Sequence, residues 1–205
     1  MVKVKVCGLR TLPDALLAME LGADFLGFNF WPGSRRHIAP EHAAKLIARL
    51  KGKAKIVGVF VNQPLSEVKK IIRETGLDYA QLHGDEPAGY CAKIPVPVIK
   101  ALRLGTESDL DALKDFPGAL WLIDSRTKGF GGSGISPDWQ LVKKAKRLTG
   151  RIILAGGLTP ENVAAAVQTV RPWAVDVASG VESSPGKKDP AKLKKFFKAV
   201  KDVSR

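Results

Sequence analysis

The feature that most constrains this chain is an alternation of segment types: short, almost wholly apolar runs take turns with amphipathic runs, and brief Gly-, Pro- or Asp-containing breaks lie between them. Runs such as KIVGVF and RIILAGG are rich in β-branched residues and apolar at consecutive positions, the pattern of a strand covered on both faces. Stretches such as PLSEVKKIIRETG place apolar residues three and four apart, as one buried helix face requires, and close on glycine. The spacing predicts strands over 2–8, 24–30, 55–62, 79–84, 96–102, 119–124, 151–157 and 174–180. It predicts helices over 12–22, 39–52, 64–76, 86–93, 107–115, 136–148, 159–170 and 190–203, with Thr159 capping the seventh and Pro160 in its first turn. Eight strand–helix units are the number that closes a parallel sheet into a (β/α)8 barrel, an α/β fold of the TIM-barrel type. The alternative is an open doubly wound sheet, because 205 residues is short for a barrel. Residues 1–205 contain no low-complexity stretch or linker, so one domain is expected.

Composition narrows the function classes. The net charge is +13, which invites a nucleic-acid reading. Much of the excess, however, lies in GKKDPAKLKKFFKAVKDVSR, where lysines flank an apolar stripe of Leu193, Phe196, Phe197 and Val200. That is the solvated face of an amphipathic helix, and no aromatic stacking cluster accompanies the basic residues. No nucleic-acid partner is therefore expected, although the charge would help attract an anionic substrate. Two cysteines, Cys7 and Cys91, make neither a disulfide framework nor a zinc pattern. No apolar run approaches a membrane span and MVKVKVCG is no signal peptide, so a cytoplasmic protein without membrane contact is expected.

In a barrel of this kind chemistry gathers where the strands end. Strand 1 ends in Cys7, strand 4 in His83, strand 6 in Asp124, and strand 8 carries Asp176 and reaches Ser179 and Gly180. Strand 7 ends in Gly156 and Gly157 directly before a helix, and the loops after strands 7 and 8 are the usual phosphate site. These glycines would serve a tight turn equally well, but their occurrence at both loops favours phosphate binding. Asp124, followed by the glycine loop GFGGSG, is an acid/base candidate. Cys7 is either a small buried hydrophobe or a functional thiol. His83 has no further histidine at metal spacing, so no metal is expected. Arg35 and Arg36 share a loop, and one of them could hold a carboxylate through a two-toothed contact.

Taken together, KVKVCGL, GADFLGFNFWPGSRRHI, VGVFVN, AQLHGDE, LIDSRTKGFGGSG, ILAGGLTPENV and AVDVASGVESSPGKKD resemble the phosphoribosylanthranilate isomerase family of tryptophan biosynthesis, in order, over nearly the whole chain. The resemblance implies a (β/α)8 barrel that needs no cofactor. It implies an Amadori rearrangement of a phosphosugar substrate, N-(5-phosphoribosyl)anthranilate, to 1-(o-carboxyphenylamino)-1-deoxyribulose 5-phosphate. By the same resemblance Asp124 is the general acid, Cys7 the general base, and Arg36, in the P-x-S-x-R pattern, the holder of the anthranilate carboxylate. Gly156, Gly157, Ser179 and Gly180 match the phosphate loops, and His83 and Asp176 match pocket positions. GFGGSG is then a loop that closes over the sugar. Trp31 departs from a frequent tyrosine, and both monomers and homodimers fit the family. Related barrels remain as rivals, namely indole-glycerol-phosphate synthase and the histidine-pathway aminoaldose isomerase. Cys7 at the end of strand 1 disfavours both; a non-catalytic phosphosugar binder is the remaining alternative.

Overall fold

The structure is a computed structural model, and it describes residues 1–50, 52, 54–116, 119–125 and 136–204. The GFGGSG loop lies outside the described residues, and so does its expected closure.

Eight parallel strands form a closed barrel in sequence order: β1 Lys3–Val6, β2 Phe25–Asn29, β3 Lys55–Phe60, β4 Tyr79–Leu82, β5 Val98–Leu104, β6 Leu120–Ser125, β7 Ile152–Leu154 and β8 Ala174–Val177. The β1–β8 register, Lys3↔Ala174 to Val6↔Val177, closes the ring and sets aside the open-sheet alternative. The helices are α1 Leu12–Glu20, α2 Pro40–Ala48, α3 Leu65–Thr75, α4 Ala88–Cys91, α5 Trp139–Thr149, α6 Val163–Val170 and α7 Pro190–Val203. The helix expected over 107–115 is a 3₁₀ segment, Glu107–Asp115, closed at its start by a reciprocal Thr106–Asp109 capping box.

Local chemistry explains most element ends. Helix α3 buries Val68, Ile71, Ile72 and Thr75, a repeat of three and four, and stops at Gly76, whose φ of 66° only glycine adopts cheaply. Asp189 caps α7 by accepting from the backbone N–H of Ala191 and Lys192. Helix α6 begins four residues later than expected. Asn162 Oδ1 accepts from the Thr159 N–H at 2.8 Å, and Thr159 Oγ1 accepts from the Glu161 N–H at 3.2 Å. These are the reciprocal bonds of a helix cap, and with the Val163 N–H donating to Thr159 O at 3.1 Å they place the expected cap, Thr159, at the head of a turn over 160–162 that leads into α6. The residues after β8 form a short 3₁₀ turn, Ser179–Val181, and then an antiparallel hairpin not anticipated from the sequence, β9 Glu182–Ser184 with β10 Lys187–Lys188.

The pleat divides the apolar residues into two groups. Leu26, Phe28, Phe60, Leu82, Ile123 and Leu154 join the shell that the helices cover. Phe25, Val57, Ile99, Leu122, Ile153 and Ala174 fill the barrel interior. On the same inward parity, nearer the C-terminal ends of the strands, the residues turn polar: Cys7, Asn29, Gln81, His83, Asp124 and Asp176. The apolar layer is thus the floor on which those side chains stand.

Candidate active site

Above that floor lies a cavity of about 830 Å³ at the C-terminal rim, lined by Cys7, Arg36, His83, Asp124, Asp176 and Ser179 among others. Gly156 and Gly157 also line it. Gly180 does not: a methyl group there would collide with the Leu158 carbonyl, so this glycine serves the close packing of the β7 and β8 loops on each other. Of the nine residues singled out in the sequence, the barrel therefore brings eight to one cavity.

Asp124 and its neighbours form one wall. Asp124 is buried, and its Oδ1 accepts the Ser125 N–H at 2.8 Å. Its Oδ2 lies 3.3 Å from His83 Nε2, without the alignment of a hydrogen bond. Gln81 Nε2 is 2.9 Å from His83 Nδ1. With the amide donating there, the ring proton sits on Nε2 and faces the carboxylate. Gly156, at φ 84°, has no side chain where a Cβ would stand 2.7 Å from Asp124 Oδ1. In the β7 loop, Asn162 Nδ2 donates to the Gly157 carbonyl at 2.8 Å and fixes the turn.

Cys7 sits on the other wall, since β6 is three strands round from β1 through β7 and β8. Its backbone N–H donates to Val177 O at 2.9 Å. The thiol lies among charges that were not read from the sequence. Lys5 is fully buried, with Nζ 2.9 Å from Asp176 Oδ1. Lys188 is fully buried too, and donates to the carbonyls of Cys7 at 2.6 Å and Ala178 at 3.0 Å and to Glu182 Oε1 at 3.0 Å. Glu182 also takes Arg36 in a forked contact, from Nε at 2.9 Å and Nη2 at 2.7 Å.

Burial pushes the Cys7 thiol above its ordinary pKa, although the Lys5 and Lys188 charges pull the other way. Burial also works against the Lys5 ammonium, but Asp176 and Cys7 outweigh it and the pKa is raised. Burial lowers Lys188 despite Glu182. Glu182 is held below its usual value because the Arg36 hydrogen bonds and the Lys188 charge outweigh its burial.

Lys5, Lys188 and Glu182 are the residues that sequence reasoning missed. Lys5 left a signal: it stands two residues before Cys7 in a strand, and so on the same face. Glu182 and Lys188 left none, because their hairpin had no strand-like pattern.

A closed barrel with a phosphosugar-sized cavity at its C-terminal rim, glycines in the β7 and β8 loops and a facing thiol and carboxylate defines the class, a TIM-barrel enzyme. The particular family follows from comparison with known proteins. The family model described as N-(5'phosphoribosyl)anthranilate (PRA) isomerase matches residues 4–199, and the chain belongs to that family. A relative from Geobacter metallireducens, N-(5'-phosphoribosyl)anthranilate isomerase, is 46% identical over 98% of this chain and 100% of its own length. The crystal structure of phosphoribosyl anthranilate isomerase from Thermotoga maritima superposes with a TM-score of 0.93 at 42% identity, covering 98% of this chain and 100% of the other. A phosphoribosyl anthranilate isomerase bound to reduced 1-(o-carboxyphenylamino)-1-deoxyribulose 5-phosphate superposes with a TM-score of 0.90 at 40% identity, with the same coverage.

Proposed function

We infer that this chain catalyses the isomerisation of N-(5-phosphoribosyl)anthranilate to 1-(o-carboxyphenylamino)-1-deoxyribulose 5-phosphate, a step of tryptophan biosynthesis. The observation that carries the reading is a thiol on β1 and a carboxylate on β6 facing one cavity in a barrel of this family. Asp124 would give a proton to the furanose ring oxygen, so that the C1–O bond breaks and the anilino nitrogen lone pair forms a protonated Schiff base. Cys7, as thiolate, would take the proton from C2, and the C2–H electron pair would neutralise the iminium to an enolamine. Tautomerisation, with a proton added at C1 and one lost from the C2 hydroxyl, leaves the ketone. The sequence moves protons and electron pairs only, which is general acid–base work.

Arg36 keeps Nη1 for the anthranilate carboxylate while Glu182 holds Nε and Nη2. The backbone of Gly156, Gly157 and Gly180, with Ser179, would take the phosphate, and the packing of Gly180 on Leu158 would hold that loop in place. His83 would orient Asp124, and Asp176 would act on the Cys7 side. A small phosphosugar is the partner, the chain acting as monomer or homodimer in the cytoplasm. Among the similar structures is one of monomers of a dimeric Thermotoga maritima isomerase, and among the described residues no helix is long and apolar enough to cross a membrane.

The test is the loss of phosphoribosylanthranilate fluorescence with freshly made substrate. Turnover by the parent and its collapse in folded Cys7→Ala and Asp124→Ala variants support the reading. An inactive parent overturns it in favour of a phosphosugar-binding barrel.

A further inference from the structure

A buried lysine needs a reason, because an ammonium removed from water is costly unless it is paired. Lys5 has no exposed side-chain surface and yet stands inside the barrel, one inward position below Cys7. Its partner is provided by the sheet: the β1–β8 register sets Lys5 directly beside Asp176, and the side chains meet at 2.9 Å. On its other side, β2 offers Gly27. A Cβ at Gly27 would stand 2.9 Å from Cys7 Sγ and 3.2 Å from Lys5 Nζ, so the missing side chain leaves the space in which thiol and ammonium approach each other.

The other charges around Cys7 are engaged elsewhere. Lys188 on β10 spends its three donors on the Cys7 and Ala178 carbonyls and on Glu182. Arg36, in the loop after β2, is held by Glu182 of β9. Asp124 and His83 belong to the far wall and face each other. Lys5 has one hydrogen bond among the described residues, to Asp176, and its ammonium and the Cys7 thiol border the same space beside Gly27.

We propose that Lys5 is a positioning residue for the base: its ammonium is the counter-ion of the Cys7 thiolate, and Asp176 keeps that ammonium charged. The proposal rests on Cys7 being the base of the isomerisation. When the thiol loses its proton to water, the sulfur electron pair is held against the Lys5 ammonium. When the thiolate takes the C2 proton, the S–H bond forms and Lys5 keeps its three protons. The direction of the electrostatics agrees, since Lys5 is the largest of the influences that oppose the effect of burial on Cys7.

The experiment uses the full chain with Cys91→Ser, which leaves Cys7 as its single thiol. The rate of alkylation by iodoacetamide is followed against pH in this parent, in Lys5→Met, and in Lys5→Met/Asp176→Asn. The double variant removes the ion pair as a unit and leaves no buried carboxylate orphaned, so it reports even where the single variant does not fold, by a smaller displacement in the same direction because the Asp176 charge opposes that of Lys5 at the thiol. The expected result in Lys5→Met is a midpoint displaced to higher pH by about one unit or more, which is about ten-fold slower alkylation at a fixed pH below the midpoint. Turnover of phosphoribosylanthranilate should fall by a similar factor in kcat with KM little changed. Folded variants that alkylate with the parent's pH profile overturn the proposal. A parent that does not turn over the substrate sinks the functional reading instead, while the alkylation profiles still decide the role of Lys5.

Discussion

The two walls of the cavity follow opposite electrostatic plans. Around Cys7 stand three cations, Lys5, Lys188 and Arg36, set against two carboxylates, Asp176 and Glu182. Next to Asp124 stands His83, held in turn by Gln81, and among the described residues no lysine or arginine forms an ion pair with the Asp124 carboxylate. Lys100 is paired with Glu86 at 2.8 Å and donates to Gly84 O, and Arg103 is paired with Asp85. The contrast matches the proposed roles. A base that must carry negative charge before it acts needs cations within reach, and an acid that must hold a proton needs them elsewhere.

The largest expected effect tests the contrast itself. Cys7→Ala and Asp124→Asn should each lower kcat by about 10²–10⁴-fold or more while the chain stays folded by circular dichroism. An Asp124→Asn chain that keeps its rate would leave the two walls without distinct jobs.

Next comes the stability of the Cys7 wall. Glu182→Ala leaves Arg36 and Lys188 without their shared carboxylate, and loss of one partner from a buried pair costs about 3–5 kcal/mol. Urea unfolding at neutral pH measures it. The pH sign follows from the lowered pKa of Glu182. Its stabilisation is fully present above the unfolded-state value of about 4.3 and is lost as pH falls through the lower folded-state value. The Glu182→Ala penalty should therefore shrink in acid, and a penalty independent of pH would contradict the pairing.

The rate should also carry the Cys7 titration. Burial pushes that thiol up, so below its midpoint the thiolate fraction grows about ten-fold per pH unit. Activity that needs the thiolate rises with pH over that range, and kcat measured from neutral to alkaline pH should show the limb. A flat profile would sharpen the comparison differently, pointing to a base deprotonated only once substrate is bound. The smallest effect belongs to the floor of the loops: Gly180→Ala forces a methyl group against the Leu158 carbonyl and should cost about 1–3 kcal/mol in thermal or urea unfolding.

Much of this was legible along the chain. The eight apolar runs, the glycine that ends α3 and the polar residues at strand ends are local signals, and they led to the barrel and to eight of its cavity-lining residues. Thr159 caps the entry to α6 as its hydroxyl suggests, while the start of the regular helix only at Val163 was not legible, because residue type does not say how many residues a capping turn takes. The glycine at 180 is legible as part of a phosphate loop, whereas its close packing on the Leu158 carbonyl is not, because a glycine beside a helix start looks the same whatever its neighbour.

The sequence by itself determined the periodicity, and with it the strands, the count that closes the ring and which rim collects polar groups, because these depend on residues near one another in the chain. Only the tertiary structure decided what surrounds Cys7. Asp176 lies 171 residues from Lys5, and Lys188 lies 181 from Cys7, partners brought together by the closing β1–β8 register and by a hairpin that no local pattern announced. Electrostatic effects depend on distance in space and on burial, and a strand that reads only as K-V-K-V-C carries neither.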